Sequence, residues 1–219
     1  MGYTLNFDVV WNNFARLLWG LVLGLGLAAA AIFIGTLAGL LLAFASVGRV
    51  RLLRSLVSAY VTFIRNTPIL VIVLIVYFGL PQLGIRLGKI ESFIFSLAIY
   101  AAAYLTEVFR AGLLSVPSGS IDAGQAIGLK RRHIALLVVS PIMLRNSLPA
   151  LGSTFISLFK DTSLAAAIAI PDLTFEARKI NVETFRVIEA WLSATALYVA
   201  TCSLMAAGLR RLERRYPRF

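Results

Sequence analysis

The chain has 219 residues, of which 59% are hydrophobic and only 14% charged, whereas a soluble domain carries about a quarter of its residues as charges. That composition excludes an ordinary soluble domain. A net charge of +11 would suggest nucleic acid in a soluble protein, but here it is a question of which side of a bilayer the basic residues occupy, and no nucleic-acid partner is expected.

The first expected element is an uncharged run over 17–48. A bilayer core of about 30 Å needs only about 20 apolar residues as helix, so this run spans with length to spare. It exceeds the apolar core of about 7–15 residues in a cleaved signal peptide, and residues 1–15 lack the basic n-region; it is read as a retained span. Its polar residues within the run are Thr36 and Ser46, so it is expected to meet lipid. The second span is expected over 56–81. Thr67 and Pro68 resemble a cap and first helical residue, yet 68–81 alone would be only about 20 Å long, so the span should start near Leu56 and bury Arg65 to some depth. The third covers 92–109. Its Glu107 either pairs with Arg110, three residues on, or pairs across spans with Arg65 to form a gate.

Next comes a polar insert in a loop of about 110–140, whose centre over 115–133 reads SVPSGSIDAGQAIGLKRRH. Ser118 or Ser120 can cap a short helix and Gly128 can end it. About two turns of helix are unstable alone in water, so the segment needs a surface to dock on. Ala123, Gly124 and Ala126 would let another backbone approach closely, with Ile121 and Ile127 as apolar anchors. A plain surface loop is the alternative; a nucleic-acid-reading helix-turn-helix does not suit a segment tethered to spans at both ends. The single histidine, His133, follows three basic residues with no cysteine or carboxylate cluster near it, so no metal site is expected.

The fourth span is expected over 146–170. Asn146, Ser153, Ser157 and Lys160 or Asp161 fall on one helical face, with Ala150 completing the stripe. They line a polar pathway or hydrogen-bond between packed spans. Asp161, Thr162 and Ser163 favour N-caps, so the helix is expected either to break there and restart toward Ile170, offering a half-helix end to a charged solute, or to place Lys160 and Asp161 at the outer interface. The fifth span, over 190–209, holds the lone cysteine, Cys202, as a packing residue.

Five spans put the termini on opposite sides. Basic residues concentrate after the first span, around the polar insert and at the C-terminal end, while the opposing segments mix basic residues with six acids. The positive-inside rule therefore places the N-terminus outside, and the C-terminus and the insert in the cytoplasm. The whole of 1–219 is read as one integral domain.

Asp122-Ala123-Gly124, three residues, Gly128, nine residues, then Val138 to Pro141 resembles the EAA loop of binding-protein-dependent ABC importer permeases. The departures are Asp122 for glutamate, Gly124 for alanine, Val138 for isoleucine and Ser140 for leucine. FIRNTPILVIVLIVYFGLP, AAYLTEVFRAGLLSVPSG and FKDTSLAAAIAIPDL, in that order, are similar to segments of the polar amino-acid uptake subfamily. The resemblance implies an all-α, type I importer-like fold of about five spans in a bacterial inner membrane. It makes Ser120, Ile121, Asp122, Ala123, Gly124, Ala126, Ile127 and Gly128 a coupling helix for a cytoplasmic ATPase. It also implies two ATPase subunits, a second permease chain, identical or related, an extracytoplasmic solute-binding protein and an amino-acid substrate. No GxxxxGKS/T phosphate loop is present, so ATP and Mg belong to the partner ATPase; no cofactor and no catalysis are expected in this chain. The alternative is an ion-gradient-driven transporter or channel with a regulatory loop.

Overall fold

The computed structural model describes residues 3–215. Among them the regular structure is helical: α1 (Asp8–Asn12), α2 (Phe14–Val47), α3 (Arg51–Arg65), α4 (Ile69–Leu74), α5 (Lys89–Leu114), α6 (Ser118–Ala126), α7 (Arg131–Ile134), α8 (Ser140–Asp161), α9 (Leu173–Thr184) and α10 (Val187–Arg215). Among the described residues four segments are long and apolar enough to cross a bilayer: α2, α5, the continuous run Arg131–Ile168, and α10. A fifth span exists only if α3 and the Ile69–Leu83 segment count together, and these are bent by 99°.

That bend corrects the second span. The residue before a proline is pushed out of helical conformation, and Pro68 itself takes φ −57°, ψ 131°. The helix therefore stops at Arg65 instead of running through from Leu56. Arg65 sits at the bend with 43% of its side chain exposed, not buried along a straight span. In the fourth span the opposite happens. A π turn over Ala135–Val139 leads into α8, where Pro141 lacks the N–H of a regular helix, and Ser140 Oγ donates to the Ala135 carbonyl at 2.7 Å. The helix absorbs its proline and begins at Arg131, well before Asn146.

The first span does not simply meet lipid. Lipid tails give apolar helices no hydrophobic reason to associate, so close packing needs small residues. Gly20, Gly24, Ala28, Ala31, Gly35, Gly39 and Ala43 form one buried ridge of α2, packed mainly on α5. A Cβ at Gly35 would lie 2.6 Å from the Ala101 Cβ, and one at Gly39 would lie 2.9 Å from the Leu105 Cβ. The outer face of α2 carries Trp19, Phe33 and Leu41, each largely exposed. The main core lies between α2, α4, α5 and α8, around Leu27, Val73, Phe93, Leu97, Phe109, Met143 and Leu158.

At one end of the bundle α9 is tied down by its own chain. Arg16 reaches Glu176 at 3.0 Å and Glu183 at 2.8 Å. The buried Glu189 accepts from the Asn6 backbone N–H at 2.8 Å, from Tyr3 Oη and from Arg186 at 3.4 Å.

Candidate functional site

Three groups of residues bear on function, and the first is α6. Its C-terminal end closes in a Schellman motif: the Gly128 N–H donates to the Gln125 carbonyl at 2.9 Å and the Leu129 N–H to the Gly124 carbonyl at 3.1 Å. This requires a left-handed residue, and Gly128 has φ +78°, a region costly for any residue with a Cβ. The start differs from expectation. Neither Ser118 nor Ser120 caps it; Pro117 occupies the N-cap without a side-chain hydrogen bond, and the Ser120 N–H donates to the Pro117 carbonyl. Gly124 does not offer its lack of bulk to another protein: a Cβ there would meet Ile134 at 3.3 Å and Leu129 at 3.8 Å. It lets α6 sit on α7. The outward face is Asp122, Ala123, Gln125, Ala126 and Ile127, with Ile127 77% exposed, while Ser120 and Ile121 are half-buried.

The second group is the polar face of α8. Ala150, Ser153, Ser157 and Lys160 are all exposed on one side, turned away from the core. Ser153 Oγ donates to the Ala150 carbonyl of its own helix at 3.0 Å. Asn146 instead reaches across to Ser115 Oγ at 2.9 Å, and Thr162 is buried, donating to the Phe159 carbonyl at 2.7 Å and packing toward Gly24 of α2. Asp161 and Ser163 are half-buried. The helix does not break at 161–163. It tightens into a 3₁₀ segment, Thr162–Ile168, with Asp161 itself helical, and stops at Ala169, whose φ is 56°. The N-cap in this region is Asp172, whose carboxylate accepts from the Thr174 and Phe175 N–H groups at 3.1 and 3.0 Å.

The third group surrounds a polar cavity of about 700 Å³ between α3, α5 and the end of α2. Arg110 grips Glu107 through two hydrogen bonds, Nε to Oε1 at 3.0 Å and Nη2 to Oε2 at 2.7 Å. Arg65 also approaches Glu107, at 3.9 Å, and its guanidinium lies over the Tyr104 ring, 5.0 Å from the centroid. Both pairings read from the sequence therefore occur together. Arg54, Ser58 and Thr62 join Arg65 along the cavity wall. Their spacing of four, four and three residues is a helical stripe that begins before Leu56, where the second span was expected to start. Tyr100 extends the same face of α5, donating to Tyr104 Oη at 3.1 Å.

The chain matches the model of the binding-protein-dependent transport system inner membrane component family over residues 31–218. It is 32% identical to the L-cystine transport system permease protein TcyB of Bacillus subtilis, covering 100% of this chain and 94% of that protein. It is 31% identical to the glutamine transport system permease protein GlnP of Escherichia coli, covering 96% and 97%. The crystal structure of an amino acid ABC transporter with histidines superposes with a TM-score of 0.90 at 31% identity, covering 97% of this chain and 100% of that one. An inward-facing structure of the MetNI methionine ABC transporter shares the fold, with a TM-score of 0.74 at 21% identity.

Proposed function

The chain belongs to the family of binding-protein-dependent transport system inner membrane components, and from that premise we propose that it is the permease of an ATP-driven importer for polar amino acids. Membership makes it a multi-pass inner-membrane transport subunit that works with a separate ATPase and a substrate-binding protein, and not itself an enzyme. The amino-acid cargo follows from relatives named for L-cystine and glutamine.

Two permease chains assemble with two ATPases, which bind ATP and Mg, and the solute-binding protein docks outside. The N-terminus lies outside and the C-terminus in the cytoplasm, in keeping with the arginines of the last turn of α10. Closure of the ATPases moves α6 as a lever and turns the cavity between spans from inward-facing to outward-facing. Ser153, Ser157, Lys160 and Asp161 face the route, with Asn146, Thr162 and Ser163 holding that wall in place, and Arg65 with Glu107 forms a gate that closes and opens with the bend at Pro68. The observation that carries this reading is α6: a capped helix with an exposed outer face, resting on its own chain through little more than Gly124.

Reconstitution with its ATPase and binding protein tests the proposal. Uptake should require all three components and ATP, and a competition panel of amino acids should identify the cargo. Uptake that persists without the ATPase would favour the ion-gradient-driven transporter or channel. Ser157→Leu should block uptake while the ATPase still docks; normal uptake would make the α8 face a packing surface only.

A further inference from the structure

α3 has three faces, and its own chain covers only one of them. Val57, Val61 and Ile64 are buried, and Tyr60 Oη donates to the Ile99 carbonyl of α5 at 2.7 Å. A second face carries Arg54, Ser58, Thr62 and Arg65 along the polar cavity. The third is apolar: Leu52, Leu56, Ala59 and Phe63, at helical spacings of four, three and four residues, are all exposed, Leu52 at 67% and Phe63 at 69%. From Leu52 to Phe63 the stripe rises about 16 Å, close to the acyl depth of one leaflet in a bilayer core of about 30 Å.

The start of α3 is basic and uncovered. Every residue from Arg51 to Leu56 is exposed, as are Arg49 and Val50 before them. Arg49, Arg51 and Arg54 have no ion pair among the described residues. No acid stands in the first turn of α3, and cations there oppose the helix dipole, so these arginines are unfavourable for α3 until an anion from outside joins them. Arg51 and Arg54, three residues apart, are neighbours on the helix surface, and around the helix Arg51 lies between Arg54 and the apolar stripe. The apposition of Gly35 with Ala101 and of Gly39 with Leu105 makes α2 and α5 run parallel, which puts the basic start of α3 at the end of the bundle that carries α6. One amphiphile fits both features, with a phosphate on the guanidinium forks and an acyl chain along the stripe. Basic segments beside a span attract anionic lipid in the same way.

We propose that Arg49, Arg51 and Arg54, with the stripe of Leu52, Leu56, Ala59 and Phe63, bind one anionic phospholipid of the leaflet on the α6 side. Its phosphate sits on Arg51 and Arg54, Arg49 adds charge, and an acyl chain supplies the outer packing that α3 lacks. The inference needs only that the chain is a membrane subunit and does not use the cargo reading. Free phosphate offers the same headgroup chemistry without the chain, so the test separates the two sources.

The test uses the assembled permease–ATPase complex, delipidated in neutral detergent and titrated with phosphatidylglycerol, phosphatidylcholine or inorganic phosphate, with native mass spectrometry counting lipids and subunits. Phosphatidylglycerol should fill one equivalent per permease chain at concentrations where phosphatidylcholine does not, and inorganic phosphate should not displace it. Arg49→Gln with Arg51→Gln should weaken that equivalent about five-fold for each arginine removed. Arg210→Gln with Arg211→Gln, the same charge change on α10, should leave it as in wild type. Leu52→Ser with Leu56→Ser should weaken it while the subunit count stays the same. Phosphatidylglycerol should also raise the melting temperature of the wild-type complex and not that of the Arg49, Arg51 variant. Equal affinity of the wild type for the two lipids overturns the site, whatever the variants do. Equal weakening by both arginine pairs reduces it to diffuse charge and overturns it. Displacement by phosphate with an unchanged serine variant makes it an anion site without lipid, and also overturns it. Loss of the ATPase or of the second permease chain from the serine variant, at unchanged phosphatidylglycerol affinity, assigns the stripe to protein and overturns it as well.

Discussion

α6 and α9 are both short helices that join long ones, of 9 and 12 residues, yet they are held in opposite ways. α9 starts on a buried carboxylate cap, buries Leu173, Ala177 and Ile180 against α2 and α10, and is clamped by Arg16 through two ion pairs. α6 has no side-chain cap and one buried residue, Gly124. A helix of this length is marginal by itself, so α9 draws its stability from its own chain, whereas α6 has a surface left to fill. On the proposed reading, the first belongs to a fixed outer end and the second to a moving inner one.

Substitutions under α9 should therefore shift unfolding, and substitutions in α6 should shift coupling. The largest stability loss is expected for Gly20→Ala, because a Cβ there would lie 2.7 Å from the Asp172 carbonyl carbon, which cannot rotate away. Overpacking of this kind costs about 1–3 kcal/mol, visible as a lower melting temperature of the purified complex; an unchanged melt would mean that α2 and α9 are not tightly apposed. Asp172→Ala removes a cap bonded to two N–H groups and should cost about 1 kcal/mol.

Asp172→Asn should cost less and should alter pH dependence. Burial pushes the Asp172 carboxyl up to about 6 from 3.8, while the Phe175 and Thr174 N–H groups pull it down. Between those values the folded chain holds a proton that the unfolded chain has released. The group's contribution to stability is thus full below 3.8 and falls as pH rises to about 6. Asparagine should flatten that slope in melting temperature against pH. Gly128→Val should leave the membrane-spanning core intact, since the strain of a β-branched residue at φ +78° is relieved by opening the exposed end of α6. It should instead lower the amount of amino acid imported per ATP hydrolysed; unchanged coupling would break the contrast between the two helices. The smallest effect is expected for Glu183→Ala. The hydrogen bond from Arg16 holds that exposed carboxyl below its usual range, giving a slight stabilisation that is lost as pH falls and is screened by salt.

Much of the fold was legible because lipid reduces the choices. Uncharged runs must be helices, so α2, α5, the α8 segment and α10 could be read from composition, and Gly128 could be read as a stop because only glycine takes its backbone shape cheaply. Prolines were less legible. Pro68 turns the chain by 99°, while Pro141 is absorbed in a helix that continues, and the difference lies in what surrounds each one. Asp161, Thr162 and Ser163 have the composition of a cap, but the N-cap in this region is Asp172, because α9 begins where the chain turns back onto α2. The stripe Arg54, Ser58, Thr62 and Arg65 was present in the sequence at helical spacing. It went unread because the second span was expected to start near Leu56, which left Arg54 outside it, and because nothing local shows that this face lines a cavity.

The sequence by itself determined that this chain lives in lipid, that it is built of long helices, and that one polar segment stands apart from them. Hydropathy and backbone geometry act within a few turns of helix, so they can be read along the chain. Only the tertiary structure decided that α2 packs by its glycines, that Gly124 turns inward, and that Arg54, Arg65, Glu107 and Arg110 share one cavity. Those outcomes depend on which helix faces which, and contact between residues distant in sequence leaves no local periodic mark.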